Sequence, residues 1–493
     1  MVESYTHKWK KLIHGTALVF FGEALAFPIA LATVIFLTRR LGPEHYGLFV
    51  LVSTLINWVE WSMHSIFSRS VVKLIGETED WRPVAARIVK VDFSFGVCAA
   101  CLLWIAADGI GVLFKEPGIS GYVRFFALEI PLFCLGRAYR SIMVGAGYFS
   151  QRALCTAVHF IGRFLLIVLF VQLGFSIPGV IAAHIIAALL DLAVIHFFCV
   201  PSLLLSPSRG SLRQLLVDSI PLFLFAISMR FYSKMDLFML KILGGTKIQA
   251  GYYGVAQSLS QGLGIFALSF SPILIAGLSK TLRTQDVSSA KRMARQALRL
   301  TLLWLPWIVL ASTSAEGFIP IIFSETFAPA APIFSQLIFG AWGLLMISVT
   351  TAILISAGKS AWTFALAGPM VFLAGLGYGV LIPRLGIQGA CLTTTFFALA
   401  GALASTLAVY KIWEIFLPWG TLWKSIFISA LIYGLSFLWP VSGLIVFIKM
   451  FLFGAVIVLT YWRLGEFGPS EINLIRSLFQ QPDISEQEAV EIS

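Results

Sequence analysis

The 493-residue chain is 58% hydrophobic and only 12% charged, with a mean hydropathy of +0.90. That balance excludes an ordinary soluble globular domain of this size and points to a chain that lives in lipid. Its net charge of +11 and pI near 9.4 would suit a nucleic-acid partner, but the cations are spread along the chain between apolar segments, so no nucleic acid is expected.

A bilayer core about 30 Å thick needs roughly 20 apolar helical residues per crossing. Such stretches recur from residue 14 to 462, and none shows the alternating period of a membrane barrel. Fourteen spans are predicted, at 14–38, 46–68, 91–114, 121–144, 153–173, 177–200, 215–243, 251–279, 299–323, 330–356, 361–382, 387–410, 421–439 and 442–462. The opening "HKWKKLIHG" resembles the charged start of a signal peptide, yet the run after it is long, carries Glu23 and Pro28, and lacks a small-residue cleavage site, so it reads as a retained span. Lys and Arg are densest before the first span (Lys8, Lys10, Lys11), after the second (Arg69 to Lys90) and after the eighth (Lys280 to Arg299), which places both termini in the cytoplasm. A short amphipathic piece, "SEINLIRSLF", and an acidic tail, "DISEQEAVEIS", follow the last span.

Internal repetition sets the architecture. "LGPEHYGLFVLVSTLIN" at 41–57 resembles "LGGTKIQAGYYGVAQSLSQ" at 243–261, and "GAGYFSQ...VQLGFSIPGV" at 145–180 resembles "SAGKSAW...PRLGIQGA" at 356–390. The offsets are 202 from Gly42 to Gly244, 211 from Gly147 to Gly358 and 212 from Gly174 to Gly386. The copies lie six spans apart and so keep one orientation across the membrane. The expected fold is all-α and polytopic: an N-lobe over 1–200, a cytoplasmic linker over 201–214 rich in Pro and Ser, a pseudo-symmetric C-lobe over 215–413, two further helices over 414–463, and a cytoplasmic segment over 464–493.

Charges within the spans are the candidate functional groups, because each costs roughly 2.5–3.5 kcal/mol at mid-membrane unless it meets water or a partner. Arg163 in the fifth span and Arg230 in the seventh fall near mid-depth, and their repeat partners, Ala374 and Pro28, are uncharged. Lys234 shares a helix face with Arg230, whereas Asp236 is turned away from it. Arg137 and Arg140 lie nearer the cytoplasmic end of the fourth span. Glu60 with His64, and His184 with Asp191, each share a helix face, a pattern suited to carrying a coupling proton. Asp191 and Glu23 equally suit Na+ together with backbone carbonyls; the sequence does not choose the ion. Pairing of all these groups with one another is the structural alternative. Cys98 and Cys101 form a CxxC inside the third span, where packing is expected rather than redox or zinc chemistry.

"TRRLGPEHYGLFVLVSTL" and "DLFMLKILGG...AGYYGVAQSLS", with the Ala-Gly openings of the fifth and eleventh spans, resemble the polysaccharide-transport and oligosaccharide-flippase family of the multidrug/oligosaccharidyl-lipid/polysaccharide exporter superfamily, which is MATE-like. The resemblance implies two six-helix lobes around a central cavity, alternating access, and movement of a lipid-linked saccharide across the cytoplasmic membrane. Its partners would be membrane lipid, a polyprenyl-diphosphate-linked saccharide and polysaccharide assembly enzymes. The implied substrate presents a diphosphate, which arginine suits through its several donors. On this reading Arg163, Arg230, Lys234 and Asp236 form the binding region and Arg137 and Arg140 admit the head group. The chain departs from the family where Arg230 and Lys234 precede Asp236 and Lys241. An ion-coupled drug or metabolite antiporter of the same fold, and a membrane glycosyltransferase, are the competing functions. No phosphate-binding Gly-rich loop, HExxH or serine-triad signature is present, so no enzyme and no cofactor is expected beyond a coupling H+ or Na+.

Overall fold

The computed structural model describes residues 25–78, 80–198 and 234–466, and among these there is no strand. The helices are α1 (Ala26–Glu77), α2 (Arg82–Leu113), α3 (Ile119–Ala127), α4 (Glu129–Gly145), α5 (Phe149–Gln172), α6 (Ser176–Phe198), α7 (234–242), α8 (Lys247–Ser260), α9 (Gly262–Arg283), α10 (Val287–Leu303), α11 (Leu305–Phe323), α12 (Ala330–Ser356), α13 (Ser360–Leu385), α14 (Ile387–Trp413), α15 (Trp419–Leu438) and α16 (Ile445–Arg463).

Twelve helical stretches of the described residues are long and apolar enough to cross a membrane. Fourteen spans were expected from the sequence, and the difference lies in two places. Ala26–Met63 counts as one stretch although Gly42, at φ 69°, breaks α1 between the first and second expected spans. Only the end of the seventh, α7, falls within the described residues. Large apolar side chains cover the outside: Ile105, Val112, Phe197 and Phe437 are each 77–82% exposed, as lipid-facing residues are. Cys98 and Cys101, both free, belong to this outer surface of α2.

The repeat is written into the backbone. Gly42 and Gly244, Gly147 and Gly358, and Gly174 and Gly386 all have positive φ, a region that residues with a Cβ enter only under strain. Around them the chain closes helix ends in the same way: Tyr148 N donates to Met143 O and Lys359 N to Leu354 O, at 2.8 and 3.0 Å, the i to i−5 bond that satisfies a last-turn carbonyl. Breaks that were not expected fall at Leu128, Gln261 and Trp304, inside the fourth, eighth and ninth expected spans, each just ahead of a proline or glycine: Pro131, Gly262 and Pro306.

The described residues form two compact units. The first holds those up to Phe266 with Ile319–Ala341 and Phe364–Gly401. Within it α1 and α8 pack backbone to backbone where the two copies of the Tyr-Gly motif meet. A Cβ on Gly47 would run into the Lys247 carbonyl, one on Gly251 into the Pro43 carbonyl, and one on Gly254 would lie 2.7 Å from Val50 Cγ1. Lys247 Nζ bridges to Glu44 Oε1 at 2.6 Å beside this crossing.

The second unit holds Ala267–Phe318, Trp342–Thr363 and the described residues from Ala402 onward. Its polar centre is Glu466, 5% exposed, which accepts from Arg299 Nε and Lys424 Nζ, each at 2.9 Å, and from Thr421 Oγ1 at 3.0 Å. The segment after α16 is thereby tied to α10 and α15. Burial works against the charge of Glu466, but the bonds from Lys424, Arg299 and Thr421 outweigh it and hold the carboxyl below its ordinary value.

Gly47→Leu is expected to lower the melting temperature and folded yield in detergent, by the roughly 1–3 kcal/mol typical of overpacking or more. Gly264→Ala, with open space around it, is expected to leave both unchanged. Because the Glu466 carboxyl is depressed on folding, its contribution is complete above the unfolded carboxylate pKa of about 4.3 and is lost as pH falls through the folded value. Thermal unfolding of Glu466→Gln should therefore show a lowered melting temperature at neutral pH and a gap from wild type that closes on acidification.

Candidate functional site

Four helices of the first unit bring charged side chains into its interior. α4 supplies Glu129, Arg137 and Arg140, α5 supplies His159 and Arg163, α6 supplies His184 and Asp191, and α1 supplies Glu60. Arg140 Nη1 donates to Asp191 Oδ2 at 2.6 Å, with both residues buried. Gly136, one turn before Arg140, makes room for the pair: a Cβ there would sit 3.1 Å from Asp191 Oδ2. His159 Nδ1 lies 3.8 Å from the same oxygen, and His184 Nδ1 lies 3.4 Å from Glu129 Oε2. Glu60, 3% exposed, feels the charges of Glu129, Arg163 and Arg137. Arg137 places its guanidinium 4.5 Å from the Trp61 ring centre and 5.3 Å from that of Phe133, and Arg163 lies 5.3 Å from Phe160.

Three carboxylates and three guanidiniums thus share one interior, a balance that lowers the cost of burying each. The arrangement corrects one expected pairing. His184 and Asp191 share a face of α6 but stand about two turns apart, so each meets a different group: His184 faces Glu129, and Asp191 is taken by Arg140. Arg140 is therefore committed to an internal carboxylate. His159 escaped the sequence reading because a lone histidine on an apolar helix carries no pattern of its own.

A second network joins α7, α8, α13 and α14 in the same unit. Asp236, 4% exposed, accepts from Tyr253 Oη at 2.7 Å, from Gln257 Nε2 at 3.0 and 3.1 Å to its two oxygens, and from Leu237 N at 2.8 Å. The Gln257 Oε1 accepts from Lys234 Nζ at 3.0 Å, so one amide links the cation and the anion. Thr394 Oγ1 lies 3.2 Å from Tyr253 Oη and 2.9 Å from Tyr378 Oη. Lys241 turns elsewhere, to Glu116 Oε1 at 3.0 Å and the Gly245 carbonyl at 3.2 Å. Tyr253 was visible in the sequence only as part of the Tyr-Gly repeat. Arg230 and Glu23 lie outside the described residues, and the side chain of His64 does as well. Among the described residues no cluster of three or more His, Cys, Asp or Glu is placed to hold a metal ion.

A family model described as polysaccharide biosynthesis protein matches residues 36–332. The chain belongs to that family. This stretch contains every helix of both polar networks except α13 and α14, and part of α1. Over 138 residues the chain is 30% identical to a protein of Shigella flexneri assigned as an O-antigen transporter, covering 25% of this chain and 32% of that one. It thus spans about a third of the length of this curated relative. Among solved structures it is similar to the lipid II flippase MurJ in an inward closed conformation, with a TM-score of 0.71 at 13% identity over 94% of this chain and 100% of that chain. It is also similar to an inward-facing MATE multidrug transporter of the MOP superfamily, with a TM-score of 0.66 at 16% identity over 78% of this chain and 94% of that chain. At these identities the likeness to both structures is one of fold.

Removing one partner of the buried Arg140–Asp191 pair leaves an unanswered charge. Arg140→Ala and Asp191→Ala are each expected to cost roughly 3–5 kcal/mol, and the double variant less than their sum. Thermal unfolding of the four proteins of this cycle in detergent measures the coupling.

Proposed function

We propose that the chain is a flippase that moves a lipid-linked oligosaccharide or polysaccharide precursor across the cytoplasmic membrane by alternating access. The observation that carries this reading is the family match over 36–332, which takes in the arginine-bearing helices α4 and α5. The fold shared with MurJ and the assignment of the Shigella flexneri relative support it.

In this reading the two six-helix lobes are 1–200 and 215–413, joined by 201–214 and followed by two helices over 414–463, with both termini and the segment 464–493 in the cytoplasm. The anionic diphosphate head group is held by Arg163, Arg137 and Lys234, together with Arg230. Arg140 and Asp236 act through their partners, Asp191 on one side and Gln257 and Tyr253 on the other. Arg137 is suited to its role because it brings a delocalised cation, 4.5 Å from the Trp61 ring centre, into the charged interior, and a guanidinium recognises phosphate oxygens. Glu60, His64, His184, Asp191 and Glu23 are the groups for a coupling H+ or Na+. Assembly enzymes that build the saccharide are its natural neighbours.

The test uses purified protein in proteoliposomes carrying a polyprenyl-diphosphate-linked sugar, read by access of the sugar to an impermeant reagent. Wild type is expected to translocate the sugar. Arg163→Ala should slow it about tenfold or more, the loss expected for a charge-assisted hydrogen bond worth roughly 1.5–3 kcal/mol. Exchange of a cationic drug for protons, with no movement of any lipid-linked sugar, would instead establish the antiporter.

A further inference from the structure

We infer that the basic face of the α9–α10 hairpin is the docking site for an acidic segment of the same chain, Asp483–Glu491. This goes beyond the flippase reading and does not depend on it.

The hairpin is rich in positive charge. Between residues 280 and 299 it carries Lys280, Arg283, Lys291, Arg292, Arg295 and Arg299 against a single acid, Asp286. Asp286 is occupied as the helix cap of α10, accepting from Ser289 N at 2.9 Å and from Ser288 Oγ at 2.8 Å. Lys280, Arg283, Arg292 and Arg295 are exposed and Lys291 is half-buried. Among the described residues none of these five forms an ion pair; Arg292 donates to Ser289 Oγ at 2.7 Å and feels the charge of Asp286, whereas Arg299 is bound to Glu466. The opposite face of α10, with Ala290, Ala294, Ala297 and Leu298, is buried, so the helix cannot roll its cations out of the way.

Positions 292, 295 and 299 follow one another at helical spacing and form a single stripe. Its Arg299 end already holds a carboxylate from the segment that leads to residues 483–491. The Glu466 clamp therefore delivers the following chain to the foot of the stripe. Sixteen residues lie between Glu466 and Asp483. They reach at most about 60 Å when extended, whereas Lys291 and Arg299 are only about 12 Å apart along the helix. Reach is no obstacle, and tethering keeps the local concentration of the segment high.

The charges match. Asp483, Glu486, Glu488 and Glu491 are four carboxylates within nine residues that contain no Lys or Arg, set against five cations that form no ion pair among the described residues. Such contacts are short-ranged and screened by salt. The competing occupant of a basic patch beside membrane spans is an anionic phospholipid head group.

Full-length protein in phosphatidylcholine nanodiscs, one copy per disc, is treated with a carbodiimide that joins a carboxylate to an amine in contact with it, and the products are mapped by mass spectrometry. Links from Asp483, Glu486, Glu488 or Glu491 to Lys280 or Lys291 are expected. They should be lost in high salt and in the Arg292→Gln/Arg295→Gln variant, while the Glu466–Lys424 link, with both partners outside the patch, persists and reports intact folding. Absence of the patch links at low salt while the Glu466–Lys424 link forms would overturn the proposal. So would their persistence, undiminished, in the charge variant. As a second readout, amine labelling of Lys280 and Lys291 should speed up severalfold when the four acids are replaced by their amides. Labelling that is unchanged by those replacements and slowed only by phosphatidylglycerol would assign the patch to lipid instead.

Discussion

A charge inside a bilayer persists only where the interior answers it, and the first unit is organised around that requirement. Arg140 and Asp191 neutralise one another at 2.6 Å, Gly136 leaves them the space, and Glu60, Glu129, Arg137 and Arg163 balance around them. The Asp236 network obeys the same rule by another means. There a glutamine amide, a tyrosine hydroxyl and a backbone N–H surround one carboxylate, and the cation sits one amide away. Four helices that would otherwise be interchangeable apolar rods are thereby given a register, because only one rotation of each brings its polar groups to partners.

Small residues set the remaining geometry. Hydrophobic burial does not drive helices together within lipid, so close approach depends on what the helix surface leaves out. At Gly47 and Gly251 two backbones meet where no Cβ fits, and the ion pair Glu44–Lys247 stands beside the contact. In the second unit, Glu466 gathers Arg299, Lys424 and Thr421 and so ties the end of α16 to two helices.

Much of the fold was legible because its signals are local. The tenth expected span, 330–356, coincides with α12, and Gly42, Gly147 and Gly174 share positive φ with their partners 202 to 212 residues later. Breaks at Gln261 and Leu128 were not anticipated, although local breakers stand beside them: Pro131 lacks an N–H and crowds the carbonyl of Ala127, four residues back, and Gly262 and Gly264 follow Gln261. At the site, sequence spacing brought out Arg137 with Arg140 and His184 with Asp191 as two separate pairs, but their partners are chosen between helices, which is why Glu129 rather than Asp191 faces His184.

The central claim is that the charged interior of this family member receives a diphosphate. The most direct measurement is the affinity of the purified protein for polyprenyl diphosphate and for the corresponding uncharged polyprenol, by native mass spectrometry, in wild type and Arg163→Gln. The account predicts that wild type binds the diphosphate far more tightly than the alcohol and that the variant loses most of that preference while keeping its affinity for the alcohol. Equal binding of the two lipids by wild type would contradict it.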